Sequence, residues 1–111
     1  MSKQRAKGTS FETDIVRFLV DNGFPNAERR AMAGQNDLGD ILTGPSLVWE
    51  CKNHKTLKFS EWIEETETER QNADADYGVL VAKRRGKGDA GEQYAVMRVA
   101  DIVRLLKQAG Y

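Results

Sequence analysis

Hydrophobic positions in the first third of the chain follow a helical period that ends abruptly. Apolar side chains recur at helical spacing at Phe11, Ile15, Phe18 and Leu19. Thr9 or Ser10 can cap this helix, and Asn22–Gly23 ends it because glycine tolerates the left-handed conformation that follows a helix. We therefore predict a flexible basic arm over residues 1–8 and a first helix that begins at residue 9 or 10.

The middle of the chain changes to short apolar runs separated by turn residues. Residues 27–32 predict a short strand, and the polar, Gly-containing stretch 33–39 predicts a loop. Asp40–Leu42 and Leu47–Lys52 read as two strands joined by the turn at residues 43–46, which together form a hairpin.

The last part of the chain alternates between helical and extended patterns. A long acidic helix is predicted from Ser60, as its cap, to about Asp74; the near-continuous apolar run Tyr77–Ala82 predicts a strand buried on both faces. The remaining elements are a Gly-rich basic loop, a strand and a final helix, over residues 84–91, 94–99 and 100–108. The order α-β-β-β-α-β-β-α predicts an α/β fold, a mixed sheet flanked by helices, in one domain over residues 9–111.

Composition limits the possible function classes. The chain has 111 residues, 17 Lys+Arg and 17 Asp+Glu, so its formal net charge is zero. No apolar run is long enough for a membrane span, the basic N-terminus has no apolar stretch of a secretory signal behind it, and Cys51 has no disulfide partner. One Cys and one His also exclude a zinc site of the usual kind. These features predict a protein of the reducing cytoplasm.

Charge along the chain is segregated although its sum is zero. Positive residues cluster at 3–7, 29–30 and 83–87, and negative residues cluster at 61–69 and 74–76. Two readings are open: one basic and one acidic face, or two ordinary solvated surfaces. If the protein binds DNA, we expect the acidic helix to face away from it.

Glu50-Cys51-Lys52 is the pattern that carries chemistry. Residues two apart on a strand share a face, so Glu50 and Lys52 project together, while Trp49 and Cys51 point the other way into the packing. Burying an acid and an ammonium is costly unless they are paired or bound. Asp40, on the neighbouring strand of the hairpin, can reach the face that carries Glu50.

Two carboxylates at that distance repel each other unless a cation lies between them. Oxygen ligands of this kind suit Mg²⁺, with Mn²⁺ as a substitute, and the main-chain carbonyl of Cys51 is a further candidate ligand. A metal held by Asp40 and Glu50 would activate a water and polarise a phosphoryl oxygen. Lys52 would orient the nucleophile and stabilise the developing negative charge.

Asp40 followed by Glu50-Cys51-Lys52 resembles the signature of the PD-(D/E)xK, or restriction-endonuclease-like, nucleases. Within that class the chain looks like the small Holliday-junction resolvases of archaeal type, which also occur in phages. The similarity covers roughly residues 5 to 85, with Gly39 where the signature has proline. The further matching residues are Lys7-Gly8 and Glu12 at the first helix, Gly23-Phe24 at its end, Arg30 and Ala33-Gly34 before the acidic residue, and Gln71 on the later helix.

This resemblance implies a restriction-endonuclease-like α-β-β-β-α-β core, a divalent metal, and a homodimer that nicks four-way DNA junctions symmetrically. For a phage-encoded protein the compartment would be the host cytoplasm. Glu12 would then orient a metal-bound water or complete the ligand set. Its alternative role is to interact with the positive end of its helix. Asp37 is a rival to Asp40, which we favour because Ile41 and Leu42 place it at the start of a strand.

Several residues are candidates for contacts with DNA. Arginine presents a bidentate fork to phosphate, and because Arg29 and Arg30 alternate on a strand, only one of them can face the active site; we favour Arg30. His54 can contact phosphate, but we expect it to be an exposed histidine without function. Trp49 and Trp62 are expected to pack in the core. The other predicted DNA-binding residues are Lys7, Gln71, Lys83, Arg84, Arg85 and Lys87.

The leading hypothesis is a Mg²⁺-dependent, structure-selective endodeoxyribonuclease, with Holliday-junction resolution in DNA recombination as its specific form. One alternative keeps the chemistry but acts on DNA ends, flaps or duplex. A second is a non-catalytic DNA-binding module of the same fold. A third is a protein-interaction domain that docks through its acidic helix and has no metal affinity.

Overall fold

The computed structural model describes residues 3–30 and 37–111, which form three helices, five strands and one short 3₁₀ turn. In chain order these are α1 (Lys3–Asp21), β1 (Glu28–Arg29), β2 (Ile41–Leu42), β3 (Leu47–Lys52), α2 (Phe59–Asn72), β4 (Tyr77–Ala82), the 3₁₀ turn (Ala90–Glu92), β5 (Tyr94–Val96) and α3 (Val99–Gln108). The predicted order of helices and strands is confirmed.

The five strands form one mixed sheet in which spatial order follows chain order, β1-β2-β3-β4-β5. β3 and β4 are parallel, with Leu47 opposite Tyr77 and Lys52 opposite Ala82, whereas the other neighbours are antiparallel. Parallel neighbours need a crossover connection, and α2 supplies it. The prediction of an α/β fold with a mixed sheet is confirmed.

The sheet has a core on each face, and the central strands contribute to both. On the first face, Val79 and Val81 pack with Phe11, Ile15 and Leu19 of α1 and with Ile41. On the second face, Leu80 and Ala82 pack with Trp62 of α2. Strand β4 is therefore buried on both sides, as its apolar run predicts.

The alternating direction of side chains along β3 also agrees with the prediction. Trp49 and Cys51 pack against the core under α1, while Val48 and Glu50 are buried. Trp62 is 5% exposed, so the core role expected for it is confirmed. Gly78 lets α2 approach the sheet closely, because a Cβ at this position would lie 2.9 Å from Cγ2 of Thr66.

The first helix begins earlier than predicted. It starts at Lys3, so residues 3–8 belong to α1 and not to a flexible arm, and Thr9 lies inside the helix. The physical reason is that Lys, Gln, Arg and Ala are good helix formers, so the helix extends in the N-terminal direction beyond the candidate caps. The predicted end is correct: α1 stops at Asp21, and Gly23 has φ of 107°.

Smaller differences occur at three other boundaries. Ser60 does not cap α2, because the helix starts at Phe59 and Lys58 precedes it without a capping side chain. β5 ends at Val96, and the following residues turn into α3, which starts at Val99. β1 is limited to Glu28–Arg29; residues 31–36, including part of the predicted strand and Ala33-Gly34, lie outside the described residues.

Helix α3 is tied to the rest of the fold mainly by polar contacts. Arg104 donates a hydrogen bond of 2.8 Å to the carbonyl of Asp76 and stacks on the ring of Tyr77, and Arg98 bridges to Glu67 of α2. Apolar residues on α3 stay exposed: Val99, Ile102, Val103 and Leu106. Among the described helices, none combines the length and the hydropathy needed to cross a membrane.

Candidate metal centre

A cleft of about 430 Å³ opens where the C-terminal end of β3 meets α1, α2 and the segment before β2. It collects the residues that the sequence singles out for chemistry, Glu12, Asp40, Glu50 and Lys52, together with Lys7, Asp37 and Glu65. A larger cleft, of about 830 Å³, lies elsewhere, and among the described residues that line it one is a carboxylate, Glu28. We regard the smaller cleft as the functional site because the ionisable groups converge there.

Asp40 is held in place by the hairpin. Its backbone N–H donates to the carbonyl of Trp49 at 2.8 Å, and its Oδ2 accepts a hydrogen bond from the N–H of Cys51, also at 2.8 Å. Oδ1 is thereby left for another partner. Gly39 has φ of 96°, and a Cβ there would lie 2.6 Å from Cγ1 of Val48, so the proline of the nuclease signature does not fit this backbone.

Glu50 is a buried acid with an unsatisfied oxygen. It is 3% exposed, and its Oε1 has no hydrogen-bond partner among the described residues. Burial, followed by the proximity of Asp40, raises the pKa of Glu50 to about 12. In the absence of a cation Glu50 therefore keeps its proton, because burial beside another carboxylate disfavours its charged form.

Lys52 shares the face of β3 with Glu50, as predicted. Its Nζ lies 3.4 Å from Oε2 of Glu50 and 2.9 Å from Oε2 of Glu65 on α2. Burial alone would lower the pKa of Lys52, but its hydrogen bond to Glu65 and its contact with Glu50 raise it overall. The ammonium therefore stays protonated between β3 and α2.

Glu12 reaches the cleft from α1. Burial and then the charge of Asp40 raise the pKa of Glu12, while Arg29, with Nε 4.0 Å from Oε1 of Glu12, lowers it. The helix-dipole alternative does not apply to this position, since α1 begins at Lys3 and Glu12 lies beyond its first turns. Its neighbours in the cleft make Glu12 a candidate ligand or water-orienting group.

The two arginines on and beside β1 are arranged differently from our prediction. Arg29 is the one directed to the site, through Glu12, whereas Arg30 lines the larger cleft away from it. The prediction favoured Arg30 because alternation allows only one of them to face the site, and alternation alone could not say which. Gln71 is exposed near the end of α2 and is not among the residues that line the cleft.

Sequence reasoning missed the contribution of α2. Carboxylate oxygens of Asp37, Glu50, Glu65 and Glu69 lie within 4.8 Å of one another. Glu69 is 1% exposed, and neither of its carboxylate oxygens has a hydrogen-bond partner among the described residues. We expect the acidic helix to face away from DNA, yet Glu65 lines the cleft and Glu69 belongs to the carboxylate cluster beside it. Their helical spacing with buried Trp62 and Thr66 was the available signal.

A basic cleft of about 370 Å³ adjoins the carboxylate cleft and shares Lys7, Asn53, His54 and Lys55 with it. Its other cations are Lys83, Arg84 and Arg85. Burial and then the charges of Lys52 and Lys7 lower the pKa of exposed His54. Four of the predicted DNA-binding residues thus lie beside the carboxylates. Part of the positive charge that clusters along the sequence is therefore next to the site.

Hydrogen bonds organise the loop that carries these cations. Gln93 accepts from the N–H of Arg84 at 2.6 Å and donates to the carbonyls of Lys87 and Asp89. The guanidinium of Arg84 stacks on Tyr94 and bonds to Glu92. Lys83 donates to the carbonyls of Arg84 and Lys87, so Arg85 is the loop cation of the basic cleft whose side chain makes no hydrogen bond or ion pair among the described residues.

Neither the family models, nor the curated proteins, nor the solved structures contain a match to this chain. We therefore infer the function from the residues and geometry of the site.

Proposed function

We propose that the protein is a metal-dependent DNA nuclease of the PD-(D/E)xK type, with a restriction-endonuclease-like core. The observation that carries this proposal is the convergence of Asp40, Glu50 and Lys52 in one cleft, with Glu50 buried and one of its oxygens unsatisfied. A purely structural role gives no reason to bury a carboxylate beside a second one.

The side chains fit a hard divalent cation such as Mg²⁺, with Mn²⁺ as a substitute. Asp40 has one oxygen engaged by the N–H of Cys51, and Glu50 has one oxygen near Lys52, so each carboxylate retains a second oxygen for a ligand bond. The Cys51 carbonyl and Glu12, the latter through a bound water, would complete the set. The cation, when bound, supplies an activated water and polarises the phosphoryl oxygen.

The chain's own residues perform the remaining tasks. Lys52 places a positive charge where negative charge develops on the scissile phosphate, and it can orient the attacking water. Glu12 orients water from the α1 side of the cleft. Lys7, Lys55 and Arg85 bind the DNA backbone beside the cleft through contacts that give affinity without sequence choice.

As substrate we propose branched DNA, specifically a four-way junction cut by a homodimer. Two sites related by a two-fold axis would match the symmetry of a junction. The exposed apolar residues of α3, among them Val103 and Leu106, provide a surface for the second copy. Light scattering of the wild type and of a Val103→Lys, Leu106→Lys variant tests this part: we expect a dimer that the double variant converts to a monomer, and a monomeric wild type contradicts it.

The test of the activity is cleavage of a labelled four-way junction and of a linear duplex with matching sequence, in Mg²⁺. Wild type and Asp40→Asn are compared with Asp14→Asn, which alters an exposed carboxylate on α1 outside the cleft. We expect paired symmetric nicks in the junction, lost in Asp40→Asn and retained in Asp14→Asn. Cleavage of both substrates would keep the nuclease and replace the resolvase with a broader activity on ends, flaps or duplex. Junction binding without cleavage under any divalent metal would favour the non-catalytic module.

A further inference from the structure

The carboxylates contributed by α2 form a group separate from the pair that the nuclease signature describes. Asp37, Glu50, Glu65 and Glu69 each offer one oxygen to a common point, whereas Asp40 and Glu12 are not members of this group. Only Glu50 belongs both to this group and to the proposed catalytic pair. The second group lies toward the helix that crosses from β3 to β4.

Glu69 is the independent observation that points to a ligand. Its side chain is almost fully buried, is directed at the other carboxylates, and has two oxygens without a hydrogen-bond donor among the described residues. The other three members of the cluster are also acids, and the ammonium of Lys52 pairs with Glu65 and Glu50 but not with Glu69 among the described residues. Such an arrangement needs either a shared proton or a cation, because unpaired buried charge costs several kcal/mol per ion, on the order of the whole stability of a small domain.

The surrounding contacts hold the ligands in place. Asn72, at the end of α2, donates a hydrogen bond of 3.0 Å to the carbonyl of Asp37, and Oδ1 of Asp37 accepts from the N–H of Gly39 at 2.9 Å. Thr66 donates to the carbonyl of Trp62 within the buried face of α2. The segment before β2 is thus fixed to the same helix that supplies Glu65 and Glu69.

We propose that Asp37, Glu50, Glu65 and Glu69 bind a second divalent cation, with Glu50 shared between it and the Asp40 site. The oxygens lie within 4.8 Å of one another, close enough to share one cation, since oxygens on opposite sides of a Ca²⁺ ion are about 4.8 Å apart.

The cation has a consequence for Lys52 that depends on the proposed nuclease function. Glu65 holds the ammonium at 2.9 Å, and a cation bound by Glu65 competes with that ion pair. Lys52 is then released toward the phosphate. The second site acts as a positioning site for Lys52, while the binding of the cation itself stands on the carboxylate geometry alone.

Isothermal titration of the full chain with MnCl₂, and separately with CaCl₂, tests the binding without DNA and without turnover. For wild type we expect two sites. Glu69→Gln is expected to lose one of them, or to weaken it by at least about tenfold, while the Asp40-dependent site stays. Asp40→Asn is expected to show the opposite loss. Glu64→Gln is the matched control, since Glu64 is an exposed acid on the same helix.

Asp37→Asn provides a second variant at an exposed ligand, so that a folding defect in Glu69→Gln does not decide the test. Loss of the same site in Asp37→Asn supports the proposal. Unchanged stoichiometry and affinity in Asp37→Asn and in folded Glu69→Gln would overturn it. Because the readout is binding, absence of DNA cleavage with both sites intact would refute the nuclease and leave the cation site standing.

Discussion

The ammonium of Lys52 forms an ion pair with the carboxylate of Glu65, at 2.9 Å between Nζ and Oε2, across the space between β3 and α2. This contact joins the lysine of the signature to a helix that the signature does not include. The ammonium of Lys52 thus contacts one carboxylate on β3, Glu50, and one on α2, Glu65. Replacing Lys52 therefore affects both cleavage and the cluster of carboxylates, and the two effects have to be measured separately.

Replacing Lys52 tests its role as the positive group beside the phosphate. We expect Lys52→Gln to lower the cleavage rate by about 10²–10³, the cost typical of removing one group that stabilises transition-state charge. Junction binding should change little, because the basic cleft is intact. Single-turnover cleavage and thermal unfolding are the measurements, with Lys58→Gln as an exposed-lysine control. A rate near that of wild type in a folded variant would remove Lys52 from the mechanism.

Asp40 has both a structural and a proposed catalytic role, and two substitutions distinguish them. Asp40→Ala leaves the N–H of Cys51 without its acceptor, which should reduce the free energy of unfolding by about 1–3 kcal/mol. Asp40→Asn keeps an acceptor oxygen and should cost less. Both variants should lose Mg²⁺-dependent cleavage. Denaturant unfolding in chelator measures the first effect, and equal stabilities of the two variants would show that the hydrogen bond of 2.8 Å contributes little.

The basic cleft predicts salt-dependent DNA binding. Lys55 and Arg85 are suitable to replace, because neither makes a side-chain hydrogen bond among the described residues, whereas Lys83 supports the loop. With both changed to Ala, the slope of log K against log salt should fall by about 0.9 for each phosphate that the protein no longer neutralises. Lys107→Ala on α3 is the control. Fluorescence anisotropy at several salt concentrations measures the slope; an unchanged slope would place DNA elsewhere.

Stability of the metal-free protein should fall as pH rises. Burial and then the neighbouring Asp37 raise the pKa of Glu69 from 4.5 to about 9. Between these values the folded state keeps a proton that the unfolded chain releases, so the free energy of unfolding decreases with pH by up to about 1.4 kcal/mol per unit. Below the ordinary pKa both states are protonated, and this effect vanishes.

Thermal unfolding in EDTA from pH 5 to pH 8 checks this dependence. We expect the wild-type melting temperature to decline across the range and the decline to be shallower in Glu69→Gln, which has no proton to lose. Some dependence should remain, because the pKa of Glu50 is raised as well. Glu64→Gln should follow the wild type. Parallel curves for wild type and Glu69→Gln would mean that Glu69 is already ionised at pH 5.

Much of the fold could be predicted because the sheet imposes simple patterns on the sequence. β4 is a continuous apolar run that contributes to both cores, and β3 alternates between packing and the cleft. The start of α1 could not be found in this way, because residues 3–8 have helical propensity but no apolar period to reveal it. Short edge strands such as β5 were too brief for an exact boundary.

The sequence could predict only the part of the site whose residues the β2–β3 hairpin positions. Asp40, Glu50 and Lys52 come together because the β2–β3 turn and the strand period fix their faces. Arg29 and Glu69 depend on how helices dock against the sheet, which is a tertiary property that a local pattern does not specify. An acidic stretch of sequence is interpreted as solvent-exposed surface, because the sequence does not show that one edge of its helix packs toward the sheet.

The crossover helix α2 has a consequence for the order in which the protein folds. Lys52 and five of the carboxylates around it, Asp37, Asp40, Glu50, Glu65 and Glu69, lie in one continuous strand–strand–helix segment. Contacts close in sequence have a low loop-closure cost and tend to form early. We expect this segment to gain protection before α1 docks and brings Glu12 to it. Pulse-labelling hydrogen exchange would show the order, and simultaneous protection of α1 and α2 would contradict it. The carboxylates of this segment would then come together before α1 docks over them, so divalent cations could bind to the chain during folding.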